Sequence, residues 1–187
     1  MNKRSYVFLA DGLEEIEALT PIDVMRRAGL DVKTVSVMPT KSVAGAHGVK
    51  IEADMMIGDE DMSDAQWLVL PGGMPGASNL AACEPLCQLL TAQKQRGGKI
   101  AAICASPAVV LASLGILDGV EACCYPGFED GAPAVKWQKS SVVETENIIT
   151  GNGPGAAMSF ALTIVAATLG KETADQLAAG MMVCCKA

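Results

Sequence analysis

Short apolar runs alternate with longer amphipathic stretches along most of this chain. Apolar runs bounded by Gly, Pro, Asp or Asn are typical of buried strands, and they occur at 4–10, 31–37, 67–70, 99–103, 120–124 and 142–150, the last with a turn near Glu146. Helical periodicity and helix-stopping glycines predict helices over 13–27, 84–96, 107–114, 155–169 and 171–179. Gly45 and Gly48 indicate a hairpin over 42–51, and Pro21 predicts a kink in the first helix.

Strands that alternate with helices predict an α/β fold with a mostly parallel sheet and helices on both faces. In such sheets, ligands bind outside the carboxyl ends of the strands. Three of these ends carry residues suited to chemistry, namely Asp11-Gly12, Pro71-Gly72-Gly73 and Cys104-Ala105. We therefore expect the functional site at this edge of the sheet.

Composition and charge narrow the function. The 187 residues contain 14 Lys and Arg against 21 Asp and Glu, a net charge of −7. Such a surface repels phosphate backbones and anionic lipids, so we expect neither nucleic acid nor a membrane as a partner. The length predicts a single domain over 1–187. No apolar stretch is long enough to span a bilayer.

The cysteines predict a reducing compartment. Their number, seven, is odd, and a chain of this length needs no disulfide, so we expect free thiols and a cytoplasmic location. Cys123-Cys124 and Cys184-Cys185 are adjacent pairs, and His47 is the single histidine, so no zinc set of usual spacing is present. We expect no metal or cofactor, and most cysteines to be small buried residues.

Cys104 is the exception. It ends a buried strand and precedes a helix with Pro107 in its first turn, and Ala102, Ala105 and Ser106 around it are small. This is the arrangement of a nucleophile elbow with Cys in place of Ser. The helix N-terminus predicts a pKa of the thiol below the free value of about 8.5. The alternative is a buried structural thiol.

Two further strand ends supply partners for this thiol. Paired glycines let a backbone approach a ligand closely, so the N–H groups of Gly73 and Ala105 are candidates for an oxyanion hole. Glu17 shares a helical stripe with the apolar residues Leu13 and Val24, which predicts a desolvated carboxyl with a raised pKa. Glu14 and Glu15 point away from that stripe, and we interpret them as an acidic first turn that complements the helix dipole.

In this order along the chain, the residues resemble the ThiJ/PfpI superfamily and, within it, the DJ-one branch. The segments that carry the resemblance are 4–17, 21–29, 69–73, 100–105 and 153–155 with the helix that follows. The resemblance implies a flavodoxin-like three-layer sandwich of the class I glutamine amidotransferase-like kind, and a homodimer. It implies that Cys104 is the reactive cysteine, that Glu17 hydrogen-bonds its sulfur, and that Gly73 and Ala105 are the nearby backbone donors. We expect the pocket to include Gly72, Tyr125 and Asn152.

The resemblance implies several functions. The first is a glutathione-independent glyoxalase or deglycase that acts on methylglyoxal or its protein adducts, with a small aldehyde or a glycated side chain as substrate. The second is a non-catalytic redox sensor or chaperone that uses oxidation of Cys104 to a sulfinate. A cysteine protease or an amidotransferase-like hydrolase is the third and weakest.

Departures from the family pattern weaken the third alternative. Relatives of this branch usually carry a His-Pro pair near the reactive cysteine, where this chain has Tyr125-Pro126. A tyrosine with a pKa of about 10 is a poor base at neutral pH. His47 stands where the family has an arginine. Gly45 stands where some relatives have a second oxidisable cysteine.

Overall fold

In a computed structural model, which describes residues 3–183, seven of the eleven strands form one central sheet. The other four form two small two-stranded sheets. The strands are β1 (Ser5–Leu9), β2 (Val32–Ser36), β3 (Ser42–Ala44), β4 (Lys50–Glu52), β5 (Met55–Met56), β6 (Trp67–Leu70), β7 (Lys99–Ile103), β8 (Glu121–Ala122), β9 (Lys136–Trp137), β10 (Val142–Thr145) and β11 (Ile148–Gly151). The helices are α1 (Glu15–Arg27), α2 (Gly76–Ala82), α3 (Glu84–Gln95), α4 (Ala157–Leu169) and α5 (Lys171–Gly180). A π-helical segment covers Pro107–Ala112, and 3-10 turns cover Glu129–Gly131 and Pro154–Ala156.

The strand order of the central sheet is β10-β11-β7-β6-β1-β2-β5. Its neighbours pair in parallel except for β10 and β11, which form an antiparallel edge hairpin. From β1 the chain moves to β2 on one side and later returns to β6 on the other. The carboxyl ends of β1 and β6 therefore form the topological switch point, where open α/β sheets bind ligands.

Two hydrophobic cores lie on the two faces of the sheet. Because side chains alternate along a strand, Val7 and Leu9 of β1 enter one core while Tyr6 and Phe8 enter the other. Helices α1, α4 and α5 cover the first core, and α2, α3 and the π-helical segment cover the second. The predicted mostly parallel sheet with helices on both faces, a flavodoxin-like three-layer sandwich, is confirmed.

Several local predictions are confirmed. The hairpin predicted over 42–51 is the antiparallel pair of β3 and β4. The helix predicted over 13–27 is α1, which continues through Pro21 and packs on α4. Helix α4 buries one face, including Phe160 and Ile164, and its other face is only partly covered.

Helix α2 and strand β5 were not predicted. Helix α2 is seven residues long and rich in Gly and Ala, so it has no hydrophobic periodicity to read. The strand predicted over 120–124 is reduced to β8, which leaves Cys123 and Cys124 beyond its end. Cys184 and Cys185 lie outside the described residues. None of the helices in 3–183 has the length and apolar character that crossing a bilayer requires.

Candidate active site

Cys104 follows β7 in a strained backbone conformation. Its φ is 65°, in the left-handed region that a non-glycine residue rarely adopts. The N–H of Cys104 donates to the carbonyl of Gly151 at 2.9 Å, and the Ser106 hydroxyl donates to the carbonyl of Pro71. These bonds tie the turn to both neighbouring strands. With 8% of its surface exposed, Cys104 has the placement expected of a nucleophile elbow.

Glu17 reaches the same place from α1. Glu14 caps this helix by accepting the N–H of Glu17 at 2.8 Å, which confirms the role of Glu14 at the helix start. The carboxyl of Glu17 is fully buried, and its Oε2 accepts the N–H of Gly72 at 3.0 Å. Its Oε1 has no hydrogen-bond partner of standard geometry within residues 3–183. A buried carboxyl that is only partly satisfied is suited to hold a proton.

Two glycines allow these groups to meet. A Cβ at Gly72 would lie 2.6 Å from the Cβ of Cys104 and 2.7 Å from Oε2 of Glu17, so the two side chains converge over this residue. Gly73 has a φ of +88°, and a Cβ there would lie 2.4 Å from the backbone nitrogen of Glu14. The predicted close backbone approach at Pro71-Gly72-Gly73 is present, and neither position has room for a side chain.

The pKa values of the pair are coupled. Burial raises the pKa of Glu17 to about 7, the direction predicted from its apolar stripe. Burial also raises the pKa of the Cys104 thiol to about 12, and the charge and hydrogen bond of Glu17 add to the rise. The N–H groups of Gly73 and Ala105 lie close enough to the sulfur to oppose it. The predicted lowering of the Cys104 pKa is therefore wrong, because burial and a neighbouring carboxylate outweigh one helix terminus.

The two remaining pocket candidates differ in their placement. Tyr125 donates its N–H to the carbonyl of Cys104 at 2.8 Å, and the residue is 46% exposed, with its ring beside Gly153. Asn152 follows β11, and its N–H donates to the carbonyl of Ser141 at 3.0 Å. No hydrogen bond in the described part of the chain links Asn152 to Cys104 or Glu17. Tyr125 thus borders the reactive turn directly, whereas Asn152 does not touch the pair by a polar contact.

The placement of Glu15 differs from the interpretation of the sequence, which assigned it to an acidic first turn. It does not point to solvent but is 7% exposed and accepts the N–H of His47 at 2.7 Å. The Nδ1 of His47 lies 2.8 Å from its other oxygen. Burial opposes ionisation of Glu15, but the bonds from His47 overcome it and lower the pKa to about 2. The hydrogen bond with Glu15 raises the pKa of His47.

Gly45 was the one indirect indication in the sequence of the contact between Glu15 and His47. A Cβ at Gly45 would lie 2.3 Å from Oε1 of Glu15, so the glycine leaves room for the carboxylate. The partners are about thirty residues apart along the chain, and helical periodicity does not report such a contact. Potential metal-donor atoms of Glu14, Glu15 and His47 lie within 4.8 Å of one another. Glu15 and His47 already hydrogen-bond to each other, so we do not assign a metal site to this cluster.

The chain is similar in sequence to proteins of one known family. Residues 3–167 match the DJ-1/PfpI family. The Parkinson disease protein 7 homolog of Danio rerio is 38% identical over 191 residues, which covers 97% of each chain. The glutathione-independent glyoxalase DJR-1.2 of Caenorhabditis elegans is 37% identical over 165 residues, 88% of this chain and 87% of that protein. Two relatives from Arabidopsis thaliana, DJ-1 homologs A and B, are longer, and this chain spans 45% and 42% of their lengths.

The fold agrees with solved structures at the same level of identity. Oxidized DJ-1 of Toxoplasma gondii superposes with a TM-score of 0.92 at 38% identity, covering 96% of this chain and 98% of that one. Drosophila melanogaster DJ-1beta superposes with a TM-score of 0.92 at 34% identity, covering 98% and 100%. Sequence and structure agree over nearly the whole length, and the chain therefore belongs to the DJ-1/PfpI family.

Proposed function

We propose that this protein is a glutathione-independent glyoxalase that converts a small 2-oxoaldehyde, such as methylglyoxal, into a 2-hydroxy acid. Deglycation of protein adducts of the same aldehyde is the related activity. One observation carries the proposal: the carboxyl of Glu17 and the thiol of Cys104 converge over Gly72, with the N–H groups of Gly73 and Ala105 at the sulfur. The name of the Caenorhabditis relative supports the same chemistry.

The first step forms a bond between Sγ of Cys104 and the aldehyde carbon. The thiol proton passes through Glu17 to the aldehyde oxygen, which yields a hemithioacetal. While negative charge develops on that oxygen, the N–H groups of Gly73 and Ala105 stabilise it. A carboxyl with a pKa of about 7 is suited to this transfer, because it is neither fully protonated nor fully ionised at neutral pH.

The second step moves a hydrogen between two carbons. Glu17 removes the proton from the former aldehyde carbon and returns it to the adjacent ketone carbon. The hydroxyl proton moves from the former aldehyde oxygen to the ketone oxygen, so the hemithioacetal becomes a thioester of the 2-hydroxy acid. Water then cleaves the thioester, releasing the acid and restoring the thiol. Overall, one 2-oxoaldehyde and one water give one 2-hydroxy acid, and no external oxidant or reductant is needed.

The test measures lactate released from methylglyoxal by the reduced protein. Cys104→Ala removes the nucleophile, and we expect it to reduce the rate to the uncatalysed background. Glu17→Gln keeps the shape and removes proton transfer, and we expect a loss of about 100-fold or more in kcat. Cys123→Ser is the matched control, since Cys123 is a buried thiol that donates a hydrogen bond to the carbonyl of Thr150. Equal rates for the wild type and Cys104→Ala would refute the proposal.

A redox sensor is the second candidate function. The solved structure of Toxoplasma gondii DJ-1 is that of an oxidized form. In this chain the amides of Gly73 and Ala105 and a protonated Glu17 would hold the oxygens of a Cys104 sulfinate. Mass spectrometry after mild peroxide separates the two functions, because selective oxidation of Cys104 without lactate formation favours the sensor.

We also propose a homodimer in the cytoplasm. Ile16 and Leu19 are 54% and 42% exposed on the outer face of α1, beside the helix turn that carries Glu17, and a second copy of this chain would cover them. Sedimentation velocity of the wild type and Leu19→Glu tests the dimer. A wild-type monomer at micromolar concentration would refute it.

A further inference from the structure

Cys124 is a buried thiol that the proposed mechanism does not use. It is 5% exposed, and its side chain makes no hydrogen bond within residues 3–183. Its neighbour Cys123 differs: the thiol of Cys123 donates to the carbonyl of Thr150 at 3.3 Å and lies 3.6 Å from the Thr150 hydroxyl. Of this adjacent pair, Cys124 alone is therefore free of a polar partner among the described residues.

The backbone brings Cys124 beside the reactive turn. The N–H of Tyr125 donates to the carbonyl of Cys104 at 2.8 Å, so residues 124 and 104 lie on hydrogen-bonded neighbouring segments. Disulfides need a Cα separation of about 4.4–6.8 Å, a range that adjoining hydrogen-bonded segments can reach.

The electrostatics agree with this proximity. Burial raises the pKa of Cys124 to about 12, and negative charge on Glu129, Cys123 and Cys104 adds to the rise. Charge on Cys104 therefore acts on Cys124 directly.

We propose that Cys124 is a resolving cysteine, which converts a peroxide-oxidised Cys104 into an intramolecular disulfide. Hydrogen peroxide oxidises the Cys104 thiol to a sulfenic acid and releases one water. The sulfur of Cys124 then attacks the sulfenic sulfur, the S–O bond breaks, and the leaving hydroxide takes the Cys124 proton as a second water. In sum, two thiols and one peroxide give one disulfide and two waters, and an external dithiol then reduces the disulfide to the two thiols.

The disulfide protects the site from irreversible oxidation. Without a resolving thiol, the sulfenic acid of Cys104 reacts with more peroxide to the sulfinate. With Cys124 present, the site is inactive but recoverable. This inference rests on Cys104 being the reactive thiol of the proposed function, and it adds a reversible off-state that neither the glyoxalase nor the sulfinate sensor requires.

The test maps the linkage by mass spectrometry. Reduced protein is treated with equimolar hydrogen peroxide, blocked with N-ethylmaleimide and digested without reductant by a protease that cleaves at aspartate. Asp118 lies between Cys104 and Cys124, so cleavage there separates the two cysteines unless a disulfide joins them. We expect the linked peptides in the wild type and in Cys123→Ser, and their separation in Cys124→Ser.

A second readout keeps the outcome decisive. In Cys124→Ser and Cys124→Ala, we expect sulfinate at Cys104 to accumulate several-fold faster, and dithiothreitol not to restore the lactate-forming activity lost to peroxide. The activity of each reduced variant, measured before peroxide, tests folding and the proposed function separately. Unlinked peptides in the wild type, or linked peptides that persist in Cys124→Ser, would overturn the inference.

Discussion

The buried carboxyl of Glu17 should make the protein less stable as the pH rises. Its pKa is about 7 in the folded protein against an ordinary value of 4.5, a shift of about 2.5 units. At about 1.4 kcal/mol per unit, ionising it in the folded state costs about 3 kcal/mol of unfolding free energy. Because the folded pKa is raised, this stability is fully present below pH 4.5 and is lost as the pH rises through 7.

Glu17→Gln isolates this contribution. The amide keeps the shape of the side chain but cannot ionise, so the stability of the variant relative to the wild type should rise by about 3 kcal/mol between pH 4.5 and 8. Denaturant unfolding at half-unit pH intervals measures it. The titration of His47 occurs in both proteins and cancels in the difference, and the pKa of Glu15 lies near 2, below the window. Parallel curves for the two proteins would refute the reasoning.

Two further predictions concern the same buried contact. The alkylation rate of Cys104 by iodoacetamide should show an inflection near pH 7, where Glu17 titrates, and this inflection should be absent in Glu17→Gln; identical profiles would contradict the coupling. Gly72→Ala should destabilise the protein by about 1–3 kcal/mol and suppress alkylation of Cys104, because the new methyl group meets two side chains and a carbonyl. Gly155→Ala, where a Cβ meets nothing within 4 Å, is the matched control, and equal effects of both substitutions would refute the steric explanation.

The parts of the fold that could be predicted were those with a strong local pattern. Strands β1, β6 and β7 are continuous apolar runs because both faces of the sheet are covered, and such runs show in the sequence. Strand β5 has two residues, Met55 and Met56, and it joins the sheet edge by pairing with β2. That pairing is a tertiary event, and two methionines alone carry no strand signal.

The same division holds for the site. The burial of Glu17 could be predicted, since its stripe on α1 is a property of the helix itself. The burial of Glu15 could not, because the loop that covers it comes from a different part of the chain. The pKa of Cys104 was predicted in the wrong direction for a similar reason. The helix terminus is a local feature, whereas the desolvation and the charge of Glu17 arise only when α1 and β7 pack together.

A thiol with a raised pKa is compatible with nucleophilic chemistry when the thiol and the carboxyl are treated as one titrating unit. Between pH values of about 7 and about 12, Glu17 and Cys104 together carry one negative charge and one proton. Moving the proton from sulfur to Oε1 of Glu17 transfers that charge to the thiolate without changing the total. The N–H groups of Gly73 and Ala105 favour the form with charge on sulfur, and an aldehyde at the sulfur consumes it. Because burial raises both pKa values, the pair retains at neutral pH the proton that the reaction must move. The reactivity of Cys104 therefore depends on Glu17 accepting this proton.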